Sequence, residues 1–167
     1  MAITIDDIKA LRELTGAGVM DSKKALSDAN GDQNKAIDIL RQKGIASAAK
    51  RADRETNQGL IESYIHSGGR IASIVEVNCE TDFVARTDDF KQLAHSIAMQ
   101  VAAMDPAHID DNDKPDVTDS TPDEKCLTKQ AFIQDPSMTI NELINEASGK
   151  LGEKIQIRRF VRYALGE

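Results

Sequence analysis

A short β-branched run that ends in a polar connection most constrains what this chain folds into. Residues 71–77 are rich in isoleucine and valine, which favours a strand of a few residues. From Phe90 to Val101, apolar side chains recur at helical spacing. The twelve residues between, 78–89, therefore connect a strand to a helix, and such connections often carry functional side chains.

Phe83 stands alone in this polar connection, directly after Asp82. The chain contains four phenylalanines, two tyrosines and no tryptophan, so a large ring in a polar segment requires an explanation. One interpretation is that Phe83 and Val84 cover the local core. The other is that Phe83 enters an apolar slot on a partner protein, because interface energy concentrates in such aromatic residues. The chemistry of the residues alone leaves both interpretations open.

The first 44 residues predict a module of three short helices. Thr4 and Asp7 have the spacing of a capping box at the start of the first helix. Two glycines within residues 15–18 predict a tight turn before the second helix. Asp32 is placed to cap the third helix, which we expect to end at Gly44. An alanine-rich, basic segment over 45–56 then predicts a helical linker.

Residues 57–167 predict a mixed α and β core. Alternating runs at 60–66 and 71–78, joined by a glycine-containing turn, predict a β-hairpin. Helices are expected from Thr87 to about Met104 and from a Thr139 capping box to about Leu151. The closing segment, 154–165, predicts a strand that pairs with the hairpin. The expected faces of that strand are Ile155, Ile157, Val161 and Tyr163 on one side and Arg158 and Arg162 on the other.

Most of the net charge of −7 comes from one segment. Residues 104–125 contain eight acids and two lysines, with three prolines and no helical pattern, so we expect a mobile acidic loop at 105–125. Residues 1–55 are close to neutral, and no basic face is available for a phosphate backbone, so direct nucleic-acid binding is not expected.

No apolar run is long enough to span a membrane, which predicts a cytoplasmic protein.

The sequence shows no pattern typical of a catalytic centre, a cofactor or a metal. Cys79 and Cys126 are far apart and the three histidines are not clustered, so neither a disulfide framework nor a zinc site is expected. The glycines at 16 and 18 lie between two helices, which does not fit a nucleotide-binding loop. A Cys79 nucleophile assisted by a histidine is the enzymatic alternative. The pattern favours a binding or regulatory protein.

Three segments together are similar to one known family. Residues 15–26, TGAGVMDSKKAL, resemble the amino-terminal signature of bacterial elongation factor Ts. Residues 78–86, NCETDFVAR, resemble the second signature of that family, and residues 152–160, GEKIQIRRF, resemble its carboxy-terminal strand. The three matches occur in the family's order and cover both ends of the chain.

This resemblance implies an α+β fold and a function. The fold is an amino-terminal module like a ubiquitin-associated domain, a helical linker, and a core whose three-stranded antiparallel sheet packs on helices. The function is guanine-nucleotide exchange on the translation GTPase elongation factor Tu, with no bond chemistry and no cofactor. The residues that the resemblance implies as GTPase contacts are Thr81, Asp82, Phe83 and Val84 in the core, and Val19, Met20, Lys23 and Arg51 in the amino-terminal part.

Two further expectations follow from the resemblance. Members of the family carry a longer helical insertion after the first core helix, and here the short acidic segment 105–125 stands in its place. The core occurs once, as in the short members, so we expect a symmetric homodimer.

The alternative function is that of an adaptor, in which the three-helix module binds another helical partner and the core is only a scaffold.

Overall fold

The computed structural model describes residues 3–113 and 123–167, and it begins with three helices. These are α1 (Ile5–Thr15), α2 (Val19–Asp28) and α3 (Gln33–Ala49). The Thr4 and Asp7 capping box is present, and the Asp32 side chain accepts a hydrogen bond from the amide of Lys35, as predicted. A small core closes the module, made of Leu11, Ala25, Leu26, Ala29 and Ala36.

The predicted end of the third helix at Gly44 is wrong. Helix α3 continues through Gly44 to Ala49 and packs against α6 (Ile140–Leu151). A Cβ atom added to Gly149 of α6 would lie 3.4 Å from the Cα of Gly44. Gly44 therefore does not end a helix. It lets two helix backbones approach closely, and through this crossing the amino-terminal module contacts the core.

The core contains the predicted three-stranded antiparallel sheet. Its strands β1 (Gln58–Ile65), β2 (Ile71–Cys79) and β5 (Gln156–Ala164) lie in the order β1-β2-β5. Between β2 and β5 the chain forms α4 (Asp82–Ala85), α5 (Asp88–Met104), the short strands β3 (Ala131–Phe132) and β4 (Asp135–Thr139), and α6. Thr87 caps α5, and Thr139 and Glu142 form the predicted capping box of α6.

The predicted faces of the last strand are wrong, because β5 contains a bulge. Glu76 pairs with Arg159 and the next residue, Val77, pairs with Ile157, so Arg158 is an extra residue on β5. A bulge of one residue reverses the alternation beyond it. Val161 and Tyr163 are consequently exposed, whereas the side chain of Arg162 is only 13% exposed and Phe160 packs against the core.

Helix α5 covers one face of the sheet and forms the centre of the main core. Phe90, Ile97 and Val101 of α5 are fully buried, as are Val75 and Val77 of β2. Helix α6 packs against both α5 and α3. Residues 114–122 of the predicted acidic loop lie outside the described residues. Asp123–Lys125, at the end of that loop, forms a short 3-10 helix, and Leu127–Lys129 forms a second one just after it. No helix in the described ranges is long and apolar enough to cross a bilayer.

The first prediction concerns the crossing of α3 and α6. We expect Gly149→Leu to lower the free energy of unfolding by roughly 1–3 kcal/mol, because the atoms beyond Cβ have no room against Gly44. Ala103→Leu, on the exposed side of α5, is the control and should change stability by less than about 0.5 kcal/mol. Urea denaturation measures both variants. Equal stability of the two variants would show that the helices do not need the close approach.

Candidate functional site

The connection after β2 presents Phe83 to solvent on the short helix α4. Thr81 is the N-cap of this helix, and its hydroxyl accepts a hydrogen bond from the amide of Val84. Ala85 is buried and Val84 packs against the main core, which fixes the inner side of the turn. The ring of Phe83 points the other way and is 77% exposed. The interpretation in which Phe83 covers the core is therefore wrong for Phe83, although it holds for Val84.

The carboxylate of Glu153, a residue far from the turn in sequence, holds this turn in place. It accepts hydrogen bonds from the amides of Glu80 and Thr81, at 3.1 and 3.0 Å, and from the Thr81 hydroxyl at 2.6 Å. Hydrogen bonds to a charged acceptor are stronger than neutral ones. Thr81, predicted as a GTPase contact, is thus a residue that supports the turn from within. Glu153 lies just after α6, so it joins the turn to the start of β5.

A second set of polar contacts joins the same turn to the end of the linker. Glu80 accepts a hydrogen bond from the amide of Lys154 at 2.6 Å and pairs with Arg54 at 3.2 Å. These contacts, the amide of Lys154 first, hold the pKa of the Glu80 carboxyl below its ordinary value. The ammonium of Lys154 donates to the carbonyls of Ala52 and Arg54. The linker is therefore fixed to the core at its carboxyl end.

Asp82 lies beside Phe83 and forms a salt bridge within α4. Its carboxylate is 2.8 Å from the guanidinium of Arg86, one helical turn later. The Arg86 side chain is 77% exposed and that of Asp82 46%, and such surface pairs contribute only about 0–1 kcal/mol. The carboxylate can therefore leave Arg86 for another partner at low cost. The turn thus offers a large apolar ring and a carboxylate from adjacent positions.

Cys79 is placed to close the core, which argues against the enzymatic alternative. Its side chain is fully buried, and its thiol donates to the carbonyl of Thr81 at 3.1 Å. Burial, together with the charge of Glu153, raises the pKa of Cys79 to about 11. A nucleophilic cysteine needs a lowered pKa and access to solvent. Cys79 has neither property.

The predicted contact residues of the amino-terminal part lie in two places. Val19 and Met20 form the exposed first turn of α2, at 51% and 73% exposure, and Lys23 follows one turn later, also exposed. Arg51 lies after α3 and is half-buried, and its charge contributes to the lowered pKa of Glu80. The structure therefore assigns Arg51 to the linker near the turn, whereas the other three residues share the α2 surface.

Sequence reasoning missed the residues that support the turn, Glu153 and Arg54. Glu153 is 73 residues from Glu80, and a single acid after a helix is ordinary in composition. The one signal is its place in the segment 152–160, whose resemblance to a carboxy-terminal strand does not indicate a contact with the turn.

Comparison with known proteins agrees with the resemblance of the signatures. A family profile described as "Elongation factor TS" matches residues 19–120. Elongation factor Ts of Moorella thermoacetica is 48% identical over 99% of this chain and 96% of that protein. Elongation factor Ts of Thermoanaerobacter sp. strain X514 is 49% identical over the same shares, and that of Desulfosudis oleivorans is 47% identical over 96% of each chain.

The alignments also show that this chain is shorter than its relatives over the shared region. The first two span 195 aligned positions, against 167 residues in this chain. The relatives therefore carry residues without a counterpart here, which is consistent with a shortened insertion.

The second prediction concerns the support of the turn. Glu153→Ala removes the acceptor of two amides and one hydroxyl, so we expect a loss of about 1–3 kcal/mol of stability. Faster hydrogen exchange at the amides of Glu80 and Thr81 should accompany that loss. Glu146→Ala, on the preceding helix, is the control and should leave both amides unchanged. Unchanged protection in Glu153→Ala would show that the turn is held by other contacts.

Proposed function

We propose that this chain acts on its partner GTPase through Phe83 and Asp82. The chain belongs to the elongation factor Ts family and is a guanine-nucleotide exchange factor for elongation factor Tu. The supporting observation is the exposure of the Phe83 ring on a turn that the core holds rigid. The partner states that it would meet are the GDP-bound and the nucleotide-free GTPase. As a translation factor it would work in the cytoplasm, without direct contact to nucleic acid.

The physical basis of exchange is a competition for the GTPase. A GTPase holds GDP with the amides of its phosphate loop and with a magnesium ion. A factor that binds best when these elements are displaced must lower the affinity of the GTPase for GDP. Bound GDP must then lower the affinity of the GTPase for the factor by the same amount. Typical couplings of this kind are about 1–3 kcal/mol, or roughly 5- to 150-fold in affinity.

One aromatic ring is large enough to supply a coupling of this size. Burying a phenylalanine side chain contributes roughly 1.5–3 kcal/mol. The ring of Phe83 is mostly in solvent before binding, so nearly all of that gain is available. Because the turn is already ordered by Glu153, little conformational entropy is lost when the ring enters a slot. Phe83 would thus separate packed elements of the GTPase near its phosphate site.

Asp82 would act on the magnesium ion rather than on the protein core of the GTPase. A carboxylate brought close to the ion's ligands changes the local charge balance. The Arg86 pair orients Asp82 before binding, and its surface position lets the carboxylate change partners. Ring and carboxylate are adjacent, so one docking event delivers both.

The α2 surface would provide a second contact with the GTPase. Val19 and Met20 are exposed apolar residues at the start of a helix, and Lys23 adds a cation one turn later. Exposed apolar side chains grouped together mark interaction surfaces. An adaptor would use this surface alone, whereas the family membership and the exposed ring of Phe83 favour exchange.

We also propose that the outer face of the sheet pairs two copies of the chain. Helix α5 covers only one face, and the other exposes apolar side chains from all three strands: Ile61, Ile65, Ile74, Val161 and Tyr163. The β5 bulge brings the last two residues to this face. An exposed apolar sheet face can match a second copy of itself under two-fold symmetry.

The third prediction tests the exchange mechanism. The chain should accelerate release of fluorescent GDP from elongation factor Tu, and Phe83→Ala should reduce this acceleration by roughly 10- to 100-fold. The melting temperature of Phe83→Ala should not change, because the ring is exposed. Phe90→Ala is the contrasting control: its ring is fully buried, so it should lose about 3–5 kcal/mol of stability. Full activity of Phe83→Ala would refute the proposed contact.

The fourth prediction tests self-association. Sedimentation velocity of the wild-type chain should show a dimer that dissociates on dilution. Val161→Lys should shift the population to monomer, because it places a charge in the apolar face. Ile5→Lys is the matched control, since Ile5 is 73% exposed but lies on α1. A wild-type chain that remains monomeric at every concentration would rule out the pairing.

A further inference from the structure

Three potential metal ligands meet on the far side of the core from Phe83. The ligand atoms of His108, Asp111 and Cys126 all lie within 4.8 Å of one another. We call these three residues the 108–126 cluster. Helix α5 has 17 residues, about 25 Å, and it runs from the α4 turn to the segment that carries His108. The cluster is therefore separate from the exchange site.

The backbone explains why His108 and Cys126 are adjacent although they are distant in sequence. The two residues form an isolated parallel β-bridge. The amide of Leu127 donates to the carbonyl of His108 at 2.9 Å, and the amide of Ala107 donates to the carbonyl of Lys125 at 2.8 Å. These bonds hold the segment after α5 against the segment that leads to β3.

The buried polar groups of the cluster lack the partners that a folded protein normally gives them. His108 is 1% exposed, and within the described residues neither of its ring nitrogens has a hydrogen-bond partner. Cys126 is fully buried, and its sulfur has only long contacts, 3.5 Å to the hydroxyl of Thr128 and 3.6 Å to the carbonyl of Ile109. Buried imidazole nitrogens without partners are costly. An ion bound by one ring nitrogen of His108 and by the Cys126 sulfur would remove part of this cost.

Asp111 forms the exposed side of the cluster. Its carboxylate is 3.0 Å from the ammonium of Lys129, which also pairs with Asp123 at 2.9 Å. The hydrogen bonds that the Lys129 ammonium donates to these two acids, Asp123 first, raise the pKa of Lys129 above its ordinary value. Carboxylates that bind metals are commonly held by such outer hydrogen bonds. Asp123 remains as a partner for Lys129 if Asp111 turns towards an ion.

We propose that the 108–126 cluster binds a divalent transition metal ion, with zinc as the best match. One imidazole nitrogen, one thiolate and one carboxylate oxygen suit zinc, whereas magnesium and calcium prefer oxygen ligands alone. Zinc–ligand distances of roughly 2.0–2.3 Å mean that the three atoms would draw together by about an ångström. Water would supply the fourth ligand. On binding, the Cys126 thiol loses its proton to solvent and a sulfur–metal bond forms.

The consequence of this site is structural. The metal would clamp the chain on both sides of the acidic segment, since His108 and Asp111 precede residues 114–122 and Cys126 follows them. Metal binding to the folded chain stabilises it by mass action. The exchange turn is at the other end of α5, so exchange should not require the ion. A buried water hydrogen-bonded to one imidazole nitrogen is the competing occupant of the cluster.

The fifth prediction uses cobalt as a spectroscopic probe on the full-length chain. After removal of metals by a chelator, Co²⁺ should give a thiolate-to-cobalt charge-transfer band and the visible bands of a tetrahedral site. Zn²⁺ should displace the cobalt. Cys126→Ser should abolish the charge-transfer band, whereas Cys79→Ser should retain it; Cys79 is the matched control because it is also a buried free cysteine.

Variants at the surface keep the test valid if Cys126→Ser does not fold. Asp111→Asn should weaken Co²⁺ binding at least tenfold, and Glu124→Gln, a change at an exposed acid two residues before Cys126, should leave it unchanged. Zn²⁺ should also raise the melting temperature of the wild type and of Glu124→Gln more than that of Asp111→Asn. The proposal fails if the wild type gives no charge-transfer band, if the band survives in Cys126→Ser, or if Asp111→Asn and Glu124→Gln bind Co²⁺ equally.

Discussion

The proposed site depends on the hydrogen bonds that Glu153 accepts from the turn after β2. Three hydrogen bonds to one carboxylate fix the backbone of residues 80 and 81, and helix α4 begins at the next residue. With its start fixed, and with Val84 and Ala85 against the core, α4 has only one side left for Phe83. An exposed apolar ring is thus the result of the internal contacts of the turn. The same fixed geometry makes the ring suitable for binding, because little order has to be created.

The amino-terminal module is held to this turn at two points. Helix α3 crosses α6 at Gly44 and Gly149, and the end of the linker is bonded to Lys154 and Glu80. The α2 surface and the Phe83 turn are therefore parts of one packed body. Two contacts on a rigid body add their binding energies, because the second forms at high effective concentration. This arrangement suits a factor that must hold the GTPase while it displaces a nucleotide.

Local signals in the sequence predict most of the helices and strands, whereas features that depend on contacts between distant residues are not predicted. The capping boxes at Thr4 and Thr139, the hairpin and the long α5 helix were predicted, because each depends on residues a few positions apart. The local sequence leaves the exposure of Phe83 open, since nothing nearby in sequence tells which way a ring points. It also predicts a helix end at Gly44, which is wrong because the role of this glycine depends on α6. The bulge at Arg158 likewise depends on pairing with β2.

The same distinction separates what sequence reasoning found of the functional residues from what it did not. Asp82 and Phe83 are adjacent, so one short signature carried them, whereas Glu153 reaches the turn only through the fold. His108 and Cys126 become neighbours through a parallel bridge between segments 18 residues apart, with no spacing that a zinc pattern would show. The two cysteines look alike in the sequence, but the fold gives them different surroundings. The Cys79 thiol donates to a carbonyl, whereas Cys126 faces an imidazole whose nitrogens have no partner among the residues that the structure describes. The capacity of these side chains to bind a ligand is set by the fold rather than by the local sequence.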